Sequence, residues 1–234
     1  GLEIQRIRNG RPHPSGHRSL FTLEQNGSDC ICAIDWSSNG DWFVTASLRG
    51  MVTAYSRDGT LKQSMAIGQR KLQCVAVSED QRIVVGDDLG PVTVMTADLA
   101  ETIRVSSFES SVVGVGESDH GEWLVAEASG RLSMLDSQCE TVAKVVETGS
   151  NLTSFLLDES SCLAGLASGE LLEISVSDLT VRTKYRPSPS EPAAVDCAWI
   201  SANRVVALTR NGRVSVWDRP AGTLLASIHL IGRD

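Results

Sequence analysis

Helical periodicity is what this 234-residue sequence lacks most plainly. No stretch repeats apolar residues at spacings of three and four, so no helix is predicted in it. No run of about 18 apolar residues exists to span a bilayer. Aromatic residues make up only 5%, and there are four histidines. The familiar catalytic spacings are missing too. There is no Gly-x-Ser-x-Gly elbow. GVGESD, Gly114 to Asp119, opens like a phosphate loop, but no Lys or helix follows, and it reads as a strand entering a turn. His13 and His17 lie four apart, but Pro14 and Gly16 between them exclude the helix that would align two metal ligands, and no Glu follows His13. His120 falls in the turn SDHGE and His229 in a last strand. Cys30 and Cys32 are separated by a single residue, and no second pair at zinc spacing follows. No catalytic, cofactor or metal residue is predicted.

The cysteines that are present are Cys30, Cys32, Cys74, Cys139, Cys162 and Cys197, mostly set among Val, Ile, Leu and Ala. There a free thiol acts as a small apolar residue, as in the reduced core of a cytosolic protein. Two Asn-x-Ser/Thr triplets, at Asn26 and Asn151, are short enough to arise by chance. Net charge is −8, which disfavours non-specific nucleic-acid binding by the body of the protein. The first 20 residues are the exception. They hold Arg6, Arg8, Arg11 and Arg18 against Glu3, a local +3, so the rest carries −11. This arm reads as a solvated end, and it is the one route by which nucleic acid would be contacted.

The organising feature is a repeat. Glycines in matching surroundings stand at Gly50, Gly90, Gly130, Gly169 and Gly212, spaced by 40, 40, 39 and 43 residues. The second residue after each is Val52, Val92, Leu132, Leu171 or Val214; the fifth is Tyr55, Met95, Leu135, Ile174 or Trp217. Before each glycine runs a short apolar segment: FVTAS, IVVGD, LVAEA, LAGLA or VVALT. Upstream lies another, as in ICAIDW and LQCVAV, and downstream a fourth, as in TLKQSMAI and TLLASIHL. Each unit therefore predicts four short antiparallel strands, the glycine marking a tight hairpin. One such sheet has two apolar faces and cannot bury both alone; stacking copies around an axis does so.

The period, the hairpin glycine and the VSVWD of 214–218 resemble WD-repeat β-propellers, over residues from about 30 to 230. Trp217-Asp218 alone keeps the Trp-Asp pair, and Leu135-Asp136 keeps its Asp. The family's Gly-His pair is missing from every unit. Its Asp before the hairpin glycine is replaced by Arg49, Leu89, Ser129, Ser168 or Asn211. The family's buried His–Asp network is therefore not expected, and packing should hold the blades. The expected fold is an all-β propeller with blades at about 30–68, 71–108, 111–148, 151–186 and 193–230, plus a partial blade with the basic arm at 1–24.

The resemblance implies a non-catalytic platform for other proteins, a subunit of a larger complex in the cytoplasm or nucleus. The alternative is an enzyme or small-molecule sensor with a site in the channel. Turns between first and second strands should form an acidic rim of Asp41, Glu79, Asp80, Asp119, Glu122, Asp158 and Glu159. The opposite rim gains Arg49, Arg70, Lys71 and Arg210 among Asp87, Asp88 and Glu109, and these four cations are the predicted partner contacts. RPSPSEP, 186–192, reads as an exposed link in which Ser188 or Ser190 would be open to phosphorylation, and Arg182, Lys184 and Arg186 guard the strand before it. LEIQRI (2–7) and SLFTLE (19–24) resemble a third and fourth strand whose partners are missing. Together with the absent initiator Met, this predicts completion of the ring by upstream blades, or by a partner or second copy of the chain, rather than a five-bladed closure.

Overall fold

The computed structural model describes residues 2–3, 22–23, 29–100, 102–105, 108–158, 160–186 and 194–230. Residues 187–192 of the predicted link, His13, His17, most of the basic arm and Glu159 lie outside the described residues. Among those described there is no helix. A two-stranded piece pairs β1 (Leu2–Glu3) with β2 (Thr22–Leu23). Five four-stranded antiparallel sheets follow, each built from one sequence unit. Blade one holds β3 (Ile31–Trp36), β4 (Trp42–Ser47), β5 (Met51–Ser56) and β6 (Leu61–Ala66). Blade two holds β7 (Leu72–Val77), β8 (Ile83–Asp87), β9 (Val92–Met95) and β10 (Thr102–Val105). Blade three holds β11 (Val112–Glu117), β12 (Trp123–Glu127), β13 (Arg131–Leu135) and β14 (Val142–Glu147). Blade four holds β15 (Leu152–Asp158), β16 (Ser161–Leu166), β17 (Leu171–Ser175) and β18 (Val181–Tyr185). Blade five holds β19 (Ala194–Ser201), β20 (Arg204–Thr209), β21 (Arg213–Asp218) and β22 (Leu224–His229).

First strands pack side by side: β3 on β7, β7 on β11, β11 on β15 and β15 on β19. The core is accordingly not one nucleus but a series of interfaces between successive blades. Val44, Ala46 and Val52 meet Leu72, Val75 and Val85 between blades one and two. Val84 and Val92 meet Trp123 and Val125 between two and three. Leu124 and Leu132 meet Cys162 and Leu172 between three and four, and Leu163 and Tyr185 meet Val205 and Trp217 between four and five. Second strands β4, β8, β12 and β16 are buried along their whole length, whereas β20 alternates, because among the described residues only one side of blade five is covered by a neighbour. A register shift sits at the same place in all five blades, between first and second strands, as at Leu72/Cys74 and Val112/Gly114. That bulge increases the twist where each blade leaves the axis.

Glycine has two jobs here. At the hairpin, Gly130 has φ +101° and accepts a hydrogen bond from Thr148 N at 2.9 Å, and a Cβ there would overlap the Ser150 carbonyl oxygen. Gly50 and Gly90 sit the same way against the carbonyls of Gly68 and Phe108. The recurring glycine thus lets the segment linking to the next blade lie directly on the hairpin. In β11 the job is space: a Cβ on Gly116 would come 2.7 Å from Leu157 of blade four, and Gly114 makes room for Phe155. GVGESD is a strand entering a turn, as the sequence predicted, and its glycines make room for side chains of the next blade.

A third device was not foreseen. The turn between third and fourth strands places Leu99, Cys139 and Leu179 at φ 56°, 59° and 57°. Each is buried in the interface with the preceding blade. A left-handed non-glycine residue costs about 1–2 kcal/mol, but full burial of a leucine returns about 1.5–3 kcal/mol, so the strained plug is retained. Blades one and five carry Gly59 and Gly222 in these turns instead.

Replacing Gly130 with Ala should lower unfolding free energy by at least about 2 kcal/mol, backbone strain adding to overlap. Gly149→Ala, also at positive φ but with open space around it, should cost only about 1 kcal/mol. Urea titration followed by tryptophan fluorescence compares the two; equal losses would remove the close-approach explanation.

Candidate interaction surfaces

The hydrogen bonds between turns fix which loops share a rim. On one rim, hairpin residues bond to the start of the first strand: Asp88 N to Lys71 O, Ala128 N to Ser111 O and Ala167 N to Asn151 O. On the other, third-to-fourth turns bond to first-to-second turns: Arg57 N to Asp41 O, Val176 N to Ser160 O and Arg219 N to Asn203 O.

The second rim is the acidic one. Asp41, Glu79, Asp80, Asp119 and Asp158 are exposed on it, and Glu122 is half-buried. The sequence reading missed a further acid set there. Asp58, Asp98, Asp136, Asp178 and Asp218 each accept a backbone N–H within the third-to-fourth turn, from Thr60, Ala100, Glu140, Thr180 and Ala221. Only Asp136 and Asp218 directly follow the large apolar residue; the others are displaced by two or three positions, which hid the pattern. Four of these carboxyls are held below the ordinary Asp range. The chief causes are the N–H of Thr60 for Asp58, the Thr96 hydroxyl for Asp98, the N–H of Glu140 for Asp136 and the Ser175 hydroxyl for Asp178. The folded turns therefore favour the charged form of these four aspartates.

Of the four predicted contact cations, Arg49, Lys71 and Arg210 are exposed, and Arg70 is half-buried. Arg70 pairs with Asp87 at 3.2 Å, and the Asp87 side chain is only 8% exposed. Asp87 therefore belongs to the interior rather than to the rim. Arg49, Arg70 and Lys71 lie together at the junction of blades one and two, where the Gly50 hairpin meets the Arg70 carbonyl. Arg210 stands on blade five, at the far end of the arc.

Polar clamps join the blades as well as packing does. Asp35 Oδ2 accepts from Val77 N at 2.8 Å, and Trp42 Nε1 donates to Gln81 Oε1 at 2.8 Å, tying blades one and two. Glu117 Oε2 accepts from Glu79 N, and Arg82 reaches Ser137 O, tying two and three. Lys144 Nζ donates to Ser177 O between three and four. Between four and five, Arg219 grips Glu173 Oε1 through both Nε at 2.8 Å and a terminal nitrogen at 2.6 Å, while Tyr185 donates its hydroxyl to the other carboxylate oxygen. The expectation that packing alone holds the blades is thus corrected: the family's His–Asp network is replaced by different side chains at each interface.

Burial raises the Glu173 carboxyl, but hydrogen bonds from Arg219 and Tyr185 outweigh it and hold it below the usual range. Burial and the adjacent Glu173 push the Tyr185 phenol far up. Burial raises the thiols of Cys74, Cys139, Cys162 and Cys197 to about 12 and that of Cys32 to about 11. Burial also raises Glu117 and Glu127, but these sit at opposite ends of the β11–β12 hairpin and cannot act together. Among the described residues no group of three or more His, Cys, Asp or Glu could hold a metal ion. His120 and His229 are exposed, and Trp42 and Trp123 are core residues.

No family model and no curated protein matches the sequence. Solved structures do match the fold. The C-terminal WD40 domain of Sif2 superposes with a TM-score of 0.74 at 16% identity, over 90% of this chain and 62% of that one. The computationally designed Ika8 protein superposes with a TM-score of 0.71 at 19% identity, over 89% of this chain and 64% of that one. The chain thus spans less than two thirds of either. Its five four-stranded blades have the fold of a WD-repeat β-propeller. No helix among the described residues is long and apolar enough to cross a membrane.

Arg219→Leu should destabilise the protein by about 3 kcal/mol, because it leaves the Glu173 carboxylate buried without its counter-charge. Adding Glu173→Leu should recover part of the loss. A double-mutant cycle by urea denaturation checks this, and additive losses would show that the pair is not coupled.

Proposed function

We propose that the chain is an arc of a non-catalytic WD-repeat-type propeller that serves as a scaffold for other proteins within a larger complex, in the cytoplasm or nucleus. The observation that carries this reading is the division of labour in the molecule. Strands, plugs and clamps are internal, while the turns form two rims of different charge on a rigid frame. Rigid frames with exposed loops suit recognition, since little ordering is needed on binding.

The partner face on this reading is the rim bearing Arg49, Lys71 and Arg210, with Arg70 in a supporting position. An acidic segment of another protein fits it. The ring is completed by further blades, on the same polypeptide or another. An apolar face on blade five supports this: Val206, Leu208, Val214 and Val216 are all half-buried there. At about 40–45 residues per blade, the unmatched parts of the two solved chains have room for about three more.

The test is quantitative co-purification from native cells with Arg49, Lys71 and Arg210 changed to Glu, leaving Arg70 to neutralise Asp87. At least one protein partner should fall about tenfold or more in recovery while the far-ultraviolet dichroism stays unchanged. Recovery of every partner at the wild-type level would overturn the assignment of this rim.

A further inference from the structure

Every blade ends in an outermost strand whose far edge is unpaired within its sheet. Such edges invite stray pairing and are usually protected by charge. Four of the five follow that rule: β6 carries Lys62, β10 Arg104, β14 Lys144 and Glu147, and β18 Arg182 and Lys184. The fifth, β22, does not. Leu224 to Leu230 reads LLASIHL, without Lys, Arg, Asp or Glu. All of it is exposed, with Leu224 at 46%, Leu225 at 51%, Ile228 at 59% and Leu230 at 61%.

We propose that β22 is a homodimerisation edge, pairing antiparallel with β22 of a second copy of this chain. Three features select a second copy. The strand is self-complementary about Ser227: Leu224 falls opposite the partner's Leu230, Ala226 opposite the partner's Ile228, and Leu225 opposite the partner's His229. No like charges meet. Self-pairing of β18 about Thr183 would instead set Arg182 against a second Lys184, which is repulsive.

The hydrogen-bond parity also agrees. Leu230 N donates inward to Gly212 O at 2.8 Å, and Arg213 pairs with His229 and Ser215 with Ser227. Alternation along an antiparallel ladder then turns the backbone N–H and C=O of Ser227 and His229 outward. A two-fold axis at Ser227 therefore brings outward donors against outward acceptors, as an isologous contact requires.

The third feature is continuity. Ala226 and Ile228 lie in register with Val216 and Val214, and these with Val206 and Leu208. A two-fold axis normal to the sheet keeps these aliphatic rows on one side, so pairing would join two blades into one eight-stranded sheet with a single apolar face.

Sedimentation equilibrium of the whole chain at tens of micromolar tests this, with two variants. Ser227→Pro removes an outward N–H at a position where an edge strand tolerates proline. Ile228→Lys supplies, at a side chain more than half exposed, the charge that the other outer strands carry. The native chain should sediment at twice the mass of one chain, and both variants at the mass of one, with strand content unchanged by circular dichroism. A monomeric native chain would overturn the proposal in favour of a strand from another protein. A dimer surviving Ile228→Lys would overturn it in favour of contact through an end face.

Discussion

A four-stranded blade has two apolar faces and no way to cover both by itself, and every other feature of this molecule answers to that constraint. It explains why the core is divided into successive interfaces rather than gathered at one centre. It also explains why strands β8, β12 and β16 are buried along their length instead of alternating: each is pressed from both sides. Close stacking in turn demands the small residues. The hairpin glycines admit the linking backbone, and Gly114 and Gly116 receive Phe155 and Leu157 from the next blade.

Stacking of apolar faces is non-directional, so something must set the angle and register between blades. The plugs and clamps do this. Leu99, Cys139 and Leu179 enter the preceding interface from strained turns. Hydrogen bonds such as Val77 N to Asp35 and Glu79 N to Glu117 join a backbone group of one blade to a carboxylate of its neighbour. The Glu173–Arg219–Tyr185 group fills the corresponding place between blades four and five, where the turn residue is Gly222 and offers no plug. These links differ chemically at each interface.

That variety marks the limit of what was legible in the sequence. Strand number, pairing order and the hairpin turns could be read because they depend on local apolar periodicity and a glycine at a fixed period. The links could not, because each joins residues about 40 positions apart, as Arg219 and Glu173 are, and no spacing announces a partner. The turn aspartates were half visible: Asp136 and Asp218 follow the large apolar residue directly, while turn length displaces Asp58, Asp98 and Asp178. For the rim cations, sequence gave charge but not occupation. Arg70 reads as equal to Lys71, yet it lies against buried Asp87. The neutrality of β22 was visible letter by letter, but its meaning needed the ladder that shows which backbone groups face out.

Mutual burial of neighbouring blades is most directly tested by native-state hydrogen exchange resolved to single amides. Amides of β8, β12 and β16, covered on both sides, should exchange only through global unfolding. Those of β20 and β21, covered on one side, should open sub-globally and exchange at least about tenfold faster, a gap of about 1.4 kcal/mol. Equal protection of blades three and five would contradict the account, because it would mean that a blade is stable without a neighbour on each face.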